Sequence, residues 1–302
     1  MAAASNNEKF KLENLFNVKG KVALITGGGS GIGLMATQAL ATNGAKVYIV
    51  GRTEEKLDRV AELYSKNISS GGQIVPLAAD VAQKEDIARL LKEVESREKH
   101  VSILINNAGI STESRQDVEG HEQHAHGLKE ALFDDSSATF DEWTSVYRTN
   151  VAQLYFLTSA FLPLLQRGTE AEHGFSSTVI NISSISGIVK ASQHHFAYNA
   201  SKAAAIHLTK MLAHEINNTA HLKIRINSIA PGVFPSEMTA GASDEKQKSS
   251  LPKEQYEKKV PAHRPGSDQD MGSAVLFVAT NQYLNGQTVV VDGGYVLAAG
   301  SV

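Results

Sequence analysis

Cysteine is absent from this 302-residue chain, which excludes disulfides, thiolate metal sites and cysteine nucleophiles at once. Charge of one sign is also missing: 29 Lys and Arg stand against 32 Asp and Glu, for a formal net charge of −3. No basic surplus matches a nucleic-acid backbone, and no long block of like charge forms a tail. No apolar run approaches the roughly 18 residues that read as a membrane span. The opening MAAASNNEKFKLENLFNVKG is polar and lacks a signal-peptide hydrophobic region. The closing AGSV is no simple peroxisomal address. The expectation is a cytoplasmic protein with neither nucleic-acid nor membrane partners.

What is present is ample apolar material, 42% of the chain, enough to bury a full core. Length alone suggests about two domains, but α/β folds of this size often form one. Short runs rich in β-branched residues recur from Lys21 onward: VALIT (22–26), VYIV (47–50), IVPLAA (74–79), SILIN (102–106), TVINIS (178–183), IRINSIA (224–230) and TVVV (288–291). Their near-continuous apolar character predicts strands covered on both faces, as in a parallel sheet. Helical patterns fill the gaps at 31–43, 54–67, 84–98, about 140–166, 196–217 and about 268–280. This alternation predicts an α/β, doubly wound, Rossmann-like fold with a seven-stranded parallel sheet flanked by helices. Residues 1–18 read as an N-terminal extension and 19–302 as a single domain.

Two polar stretches interrupt the alternation, 111–138 after the fourth strand and 232–266 after the sixth. Both leave the carboxyl ends of strands, where open α/β sheets bind ligands. Loops of this length are commonly lids or binding loops, and the first reads equally well as a solvated insertion.

TGGGSGIG (26–33) follows the first strand and opens the first helix. Glycines allow a tight turn and close approach of a phosphate, and the helix N-terminus offers unpaired N–H groups and a positive dipole end. Gly27, Gly31 and Gly33, with Ser30 and Ile32 between them, are therefore candidates for a dinucleotide pyrophosphate cradle. The spacing departs from G-x-G-x-x-G, since position 36 is Ala, so the strand before and the helix after carry much of the assignment.

The second strand ends at Gly51-Arg52, where NAD-binding folds place an acidic residue on the adenine ribose. Glycine stands there instead, with Arg52 next and Lys56 four residues on. A guanidinium pairs well with a 2′-phosphate, which points to NADP(H) in preference to NAD(H). The competing reading has Arg52 paired with Glu54 or Glu55 at a solvated helix start.

YNASK (198–202) places a tyrosine and a lysine one helical turn apart, on one face. Alone, such a pair is usually a surface feature. In one chain with TGGGSGIG and NNAG (106–109), in this order, it makes the sequence resemble the short-chain dehydrogenase/reductase family from about Lys19 to Tyr295. That resemblance implies a single-domain Rossmann-like fold, a nicotinamide cofactor, a small-molecule carbonyl substrate and a homodimer or homotetramer. It implies catalytic roles for Asn150 in RTNVAQLYF, Ser184 in NISSISG, Tyr198 and Lys202. It further implies cofactor contacts from Asp80 and Val81, from Asn106, Ala108 and Gly109, from Tyr198 and Lys202, and from Pro231, Gly232, Val233 and Ser236. The gap from Ser184 to Tyr198 is 14 residues, one longer than the commonest family form. The 111–138 stretch is also longer than usual, and Ser236 replaces the more usual threonine.

The chemistry suits these residue types. A free tyrosine titrates near 10, and a neighbouring ammonium favours its phenolate, so the phenol is expected to be lowered toward working pH. A serine hydroxyl stabilises charge growing on a carbonyl oxygen. Ketone reduction with NADPH is the expected activity, with imine reduction or NADP(H) binding without turnover as alternatives. The histidines His121, His124 and His126 in GHEQHAHG carry no carboxylate pattern, and no metal site is expected. His194 and His195 sit at the expected pocket edge. Trp143 and Tyr147, one turn apart, are expected to pack a core or an oligomer face.

Overall fold

The seven apolar runs form seven strands: β1 Val22–Thr26, β2 Lys46–Gly51, β3 Gln73–Ala78, β4 Ile103–Asn106, β5 Thr178–Ile182, β6 Arg225–Pro231 and β7 Thr288–Val291. They belong to a computed structural model that describes residues 7–66, 68–112, 116–118 and 124–301. All pairings are parallel, in the order β3-β2-β1-β4-β5-β6-β7. Parallel neighbours need crossovers, and the helices supply them: α1 Gly31–Thr42, α2 Glu54–Ser65, α3 Lys84–Arg97, α4 Ala125–Leu132, α5 Phe140–Tyr147, α6 Gln153–Glu170, α7 Phe196–His214 and α8 Asp268–Thr280.

The pleat sends alternate residues of each strand to opposite faces, and both faces are covered. Ala23 and Ile25 of β1 join Val47, Ile49, Ile103 and Ile105 in the layer that packs on α1 and α8. Val22 and Leu24 join Tyr48, Val50 and Leu104 against Leu90 and Val94 of α3 and Leu157 and Phe161 of α6. Every residue of β1, β4, β5 and β6 is buried, the physical origin of their unbroken apolar character. At the far end of β6, buried Arg225 donates to Val278 O at 3.0 Å and Ala279 O at 2.7 Å. Its guanidinium thereby answers the unpaired carbonyls at the end of α8.

The strand order reverses between β1 and β4, so the chains leaving these two strands diverge and open a crevice at the carboxyl edge. Three differences from the sequence reading bear on that edge. The helix expected over about 140–166 is divided by a π-turn at Arg148–Ala152. There the Asn150 side chain bonds the Ile110 backbone twice, by Nδ2–H to O and by Oδ1 from N–H, both at 2.9 Å. Side-chain capture of another segment's backbone is what the wider turn serves. The 111–138 stretch contains α4, and a C-terminal helical turn, Tyr295–Ala299, packs near the active edge.

Candidate active site

The glycine loop is shaped by contacts that a side chain would prevent. Gly27 has φ +65°, and a Cβ on Gly33 would lie 2.0 Å from the Gly27 carbonyl oxygen. Ser30 precedes α1 without capping it by its side chain, so the first N–H groups of that helix are left for an anion. Asn107 locks the turn from β4: its Nδ2 donates to Thr26 O at 3.0 Å and Gly27 O at 3.1 Å. The Thr26 hydroxyl accepts from the N–H of Asn107 and of Ala108, both at 3.0 Å.

This loop forms one wall of a cleft of about 560 Å³ along the carboxyl edge. Gly27, Ser30, Gly31, Ile32, Arg52, Asp80 and Val81 line it together with Ala108, Gly109, Tyr198 and Lys202, and Ser236 lines it against Gly31. Gly33 lies behind the lining, against Gly27 O. Glycine backbone, free helix N–H groups and an elongated cleft fit a dinucleotide. Among the described residues the exposed Arg52 side chain has no ion pair or hydrogen bond, so the expected alternative pairing with Glu54 or Glu55 does not occur. Lys56 pairs with Glu237 at 2.7 Å.

Some of the expected contacts lie elsewhere. The buried Asn106 amide donates to Asn181 Oδ1 at 2.7 Å and Thr158 Oγ1 at 3.1 Å. It ties β4 to β5 and α6, while its neighbour Asn107 faces the cleft. Pro231 ends β6 in the interior, and Gly232 N–H donates to Val291 O at 2.9 Å. Val233 lines a separate small cavity with Phe234 and Val260. For Asn106, the last residue of β4, the pleat decides: its side chain turns into the sheet, and that of Asn107 beyond the strand faces the cleft.

Tyr198 and Lys202 sit in the first two turns of α7, the ammonium 5.6 Å from the phenol ring centre. Lys202 is buried, and its Nζ donates to Ile182 O at 3.1 Å. Ser184 comes from the turn after β5, where its Oγ accepts from Ser186 N–H at 3.1 Å, and it stands close enough to the Tyr198 phenol to favour the phenolate. Its neighbour Ser183 is committed to the sheet, bonding Ser228 at 2.6 Å and Ile229 O at 3.1 Å. Gly187 lets this turn touch α7, since a Cβ there would lie 2.5 Å from Ala203 N. Behind the pair, Asn150 Nδ2 donates to Ser201 Oγ at 3.1 Å. A Cβ on Gly109 would stand 3.1 Å from Asn150 Oδ1 and 3.5 Å from Lys202 Nζ. Asn150, Ser184, Tyr198 and Lys202 are thus gathered from three segments.

The electrostatics correct one expectation. Burial raises the Tyr198 phenol above its ordinary value, and the nearby Ser184 side chain opposes that rise without reversing it. Burial also lowers Lys202 to about 8. Desolvation sets the direction for the phenol, so it keeps its proton at neutral pH.

The wall beyond Tyr198 is built from the unusual loops. Gln193 and His194 both adopt left-handed backbone, with φ of 52° and 65°, where the long Ser184–Tyr198 gap must turn. Gln193 accepts from Ser186 Oγ at 2.7 Å and donates to Tyr295 Oη at 3.1 Å. His195 Nδ1 bonds Thr112 Oγ1 at 2.7 Å, and His194 Nδ1 lies 3.5 Å from Asp117. The two histidines therefore fasten the 111–138 stretch to this loop. His121 lies outside the described residues, and among those described no three His, Asp or Glu side chains converge as a metal site. Trp143 and Tyr147 stack at 6.5 Å and line an open groove with Phe156. Asn107, Thr26 and Glu237 were not singled out from sequence. Asn107 and Thr26 had a usable signal in their adjacency to the NNAG and glycine motifs, and Glu237 had none.

Comparison with known proteins agrees with this geometry. The short chain dehydrogenase family model matches residues 21–247. A short-chain dehydrogenase/reductase of Diaporthe leptostromiformis, PhomF, is 39% identical over 284 residues, covering 93% of each chain. The rhamnolipids biosynthesis 3-oxoacyl-[acyl-carrier-protein] reductase of Pseudomonas aeruginosa is 31% identical, covering 93% of this chain and 98% of its own. Among solved structures, a Pseudomonas aeruginosa RhlG/NADP active-site complex superposes with a TM-score of 0.75 at 30% identity, covering 93% of this chain and 98% of that one. Among the described residues no helix is long and apolar enough to cross a membrane. The chain belongs to the short-chain dehydrogenase/reductase family, and it is an oxidoreductase of the CH–OH/C=O class that works with a nicotinamide cofactor.

Proposed function

We propose that the protein reduces a ketone of a small molecule to a secondary alcohol with NADPH, in the cytoplasm and as a homo-oligomer. The observation that carries this reading is a single cleft lined by Tyr198 and Lys202, with Ser184 beside Tyr198, and by Arg52, which among the described residues has no ion pair or hydrogen bond. Residues 19–302 act as the catalytic unit and 1–18 as an extension. A nicotinamide bound along the glycine loop supplies the hydride. The protonated phenol of Tyr198 donates its proton to the carbonyl oxygen as charge develops there. Ser184 donates a hydrogen bond to the same oxygen. Lys202 steadies the phenolate left behind, and Asn150, beside it, takes part in returning the proton. The unpaired Arg52 suits a 2′-phosphate. The name of the 31% identical reductase supports a carbonyl substrate. Exposed Trp143, Tyr155, Phe156 and Met211 on α5, α6 and α7 support a self-association face.

The test is a nicotinamide-fluorescence titration with NADPH and NADH, followed by absorbance assays at 340 nm across ketones and imines. Wild-type protein should bind NADPH more tightly and oxidise it with ketones. Tyr198→Phe should cost about 10²- to 10⁴-fold in rate while leaving NADPH binding in place. Turnover of imines alone would replace the ketone reading, and unchanged turnover in Tyr198→Phe would end the assigned mechanism.

A further inference from the structure

The chain that leaves β6 contributes Ser236, Glu237 and Met238 to the cleft wall and fastens on α2 and α8. Tyr64 Oη of α2 donates to Lys246 O at 2.7 Å, and Lys248 Nζ pairs with Asp268 of α8 at 2.7 Å. Within this segment, Ser236 and Thr239 cap a single helical turn, Glu237–Ala240. The Glu237 side chain is the segment's charged contribution to the cleft wall, where it stands with Ser30, Arg52 and Lys56. Its carboxylate accepts from Lys56 Nζ at 2.7 Å, Ser243 Oγ at 2.7 Å and Ser30 Oγ at 3.3 Å.

Ser30 belongs to the glycine loop and Lys56 to the first turn of α2, the two elements that flank the adenosine end of a bound dinucleotide. Their donors are those a 2′-phosphate would use, and a carboxylate already holds them. An arriving phosphate therefore meets Arg52 free but Lys56 neutralised, with a negative charge beside it. A ribose bearing only hydroxyls meets the opposite situation, because a carboxylate is a good acceptor for them. The acidic group missing from the end of β2, where Gly51 stands, is thus supplied by the chain after β6.

Building on the NADP(H) reading, we infer that Glu237 is a cofactor-specificity residue, which opposes Arg52 by holding Lys56 and Ser30 and so narrows the preference for the phosphorylated dinucleotide. The lowered titration of Glu237, caused first by Lys56 and then by Ser243, keeps its charge in place at neutral pH.

The experiment measures dissociation constants for NADPH, NADH and adenosine 2′,5′-bisphosphate in wild type, Glu237→Gln, Lys56→Met and the double variant. Glu237→Gln should tighten NADPH and the bisphosphate by about three- to fivefold, the range of a partly exposed ion pair, with NADH unchanged or weaker. In the Lys56→Met background the same substitution should give a smaller phosphate-selective gain, since only Ser30 is freed and only the carboxylate's repulsion is removed. Equal gains for NADPH and NADH, or losses of both, would overturn the inference and leave the NADP(H) reading standing. Wild-type protein that binds neither dinucleotide would overturn both.

Discussion

Around Gly27–Gly33 the working surface is backbone, whereas around Tyr198 it is a set of side chains, each held by another segment. The glycine loop is held by close backbone approaches, some within the turn, such as the 2.0 Å that a Cβ on Gly33 would leave to Gly27 O, and some to neighbours, such as Gly28 on Ile49 and Gly31 on Ser236. The catalytic end instead draws Asn150 from a π-turn, Ser184 from the turn after β5, and Tyr198 and Lys202 from α7. Supporting it are Ile110, just past NNAG, Ser201 within YNASK and Ile182 within NISSISG, each bonding a residue of a different segment. Backbone recognition of a phosphate tolerates varied neighbours, since only the turn matters. Proton transfer does not, because hydrogen-bond reach must be met by several atoms together.

Breaking each end separately should separate binding from rate. The largest effect belongs to Tyr198→Phe, the loss of about 10²- to 10⁴-fold in turnover given above, with the glycine end intact. Ser184→Ala should follow, at about 10²-fold in kcat from the loss of one donor to the developing oxyanion. Its binding of NADPH, read by fluorescence, should stay near wild type. Gly33→Ala reverses the pattern: a methyl group against the Gly27 carbonyl forces the loop open, at a cost of about 1–3 kcal/mol. NADPH and NADH should weaken together by roughly tenfold or more, and the melting temperature should fall with them. Loss of rate alone in that variant would contradict the division drawn here.

A finer test lies at the adenosine end. Arg52→Ala should weaken NADPH by about tenfold relative to NADH, in line with a charge-assisted hydrogen bond, and equal losses would contradict the 2′-phosphate assignment.

The smallest effect is a pH dependence. Burial lowers Lys202 from 10.5 to about 8, so between these values the unfolded chain binds a proton that the folded chain has released. This group therefore makes stability rise with pH across that window, and Lys202→Met should remove the rise in urea midpoints measured from about pH 8 to 10. The same deprotonation takes the ammonium from beside Tyr198, so wild-type reduction should decline above about pH 8, and a flat profile would count against the charge's role.

Local chemistry alone determined a good deal of this protein. Apolar runs marked all seven strands, and in β1, β4, β5 and β6 they are unbroken because a strand covered on both faces has no solvent side to alternate toward. TGGGSGIG between a strand and a helix marked the cradle, since its geometry is completed within a few residues. Ser184 was separable from Ser183 only through the family resemblance, and the structure commits Ser183 to Ser228 and Ile229 in the sheet.

Only the tertiary structure decided the rest. Asn106 and Asn107 differ by one position, yet one pins the sheet and the other the cleft, because the pleat decides which way a strand-end side chain turns. The phenol of Tyr198 is raised and not lowered, because desolvation depends on everything packed around it and not on the lysine one turn away. Glu237 reaches Ser30 across 207 positions of sequence, a contact that no local pattern encodes. Its partners meet only because the strand order of the sheet brings the carboxyl ends of β1, β2 and β6 to one edge.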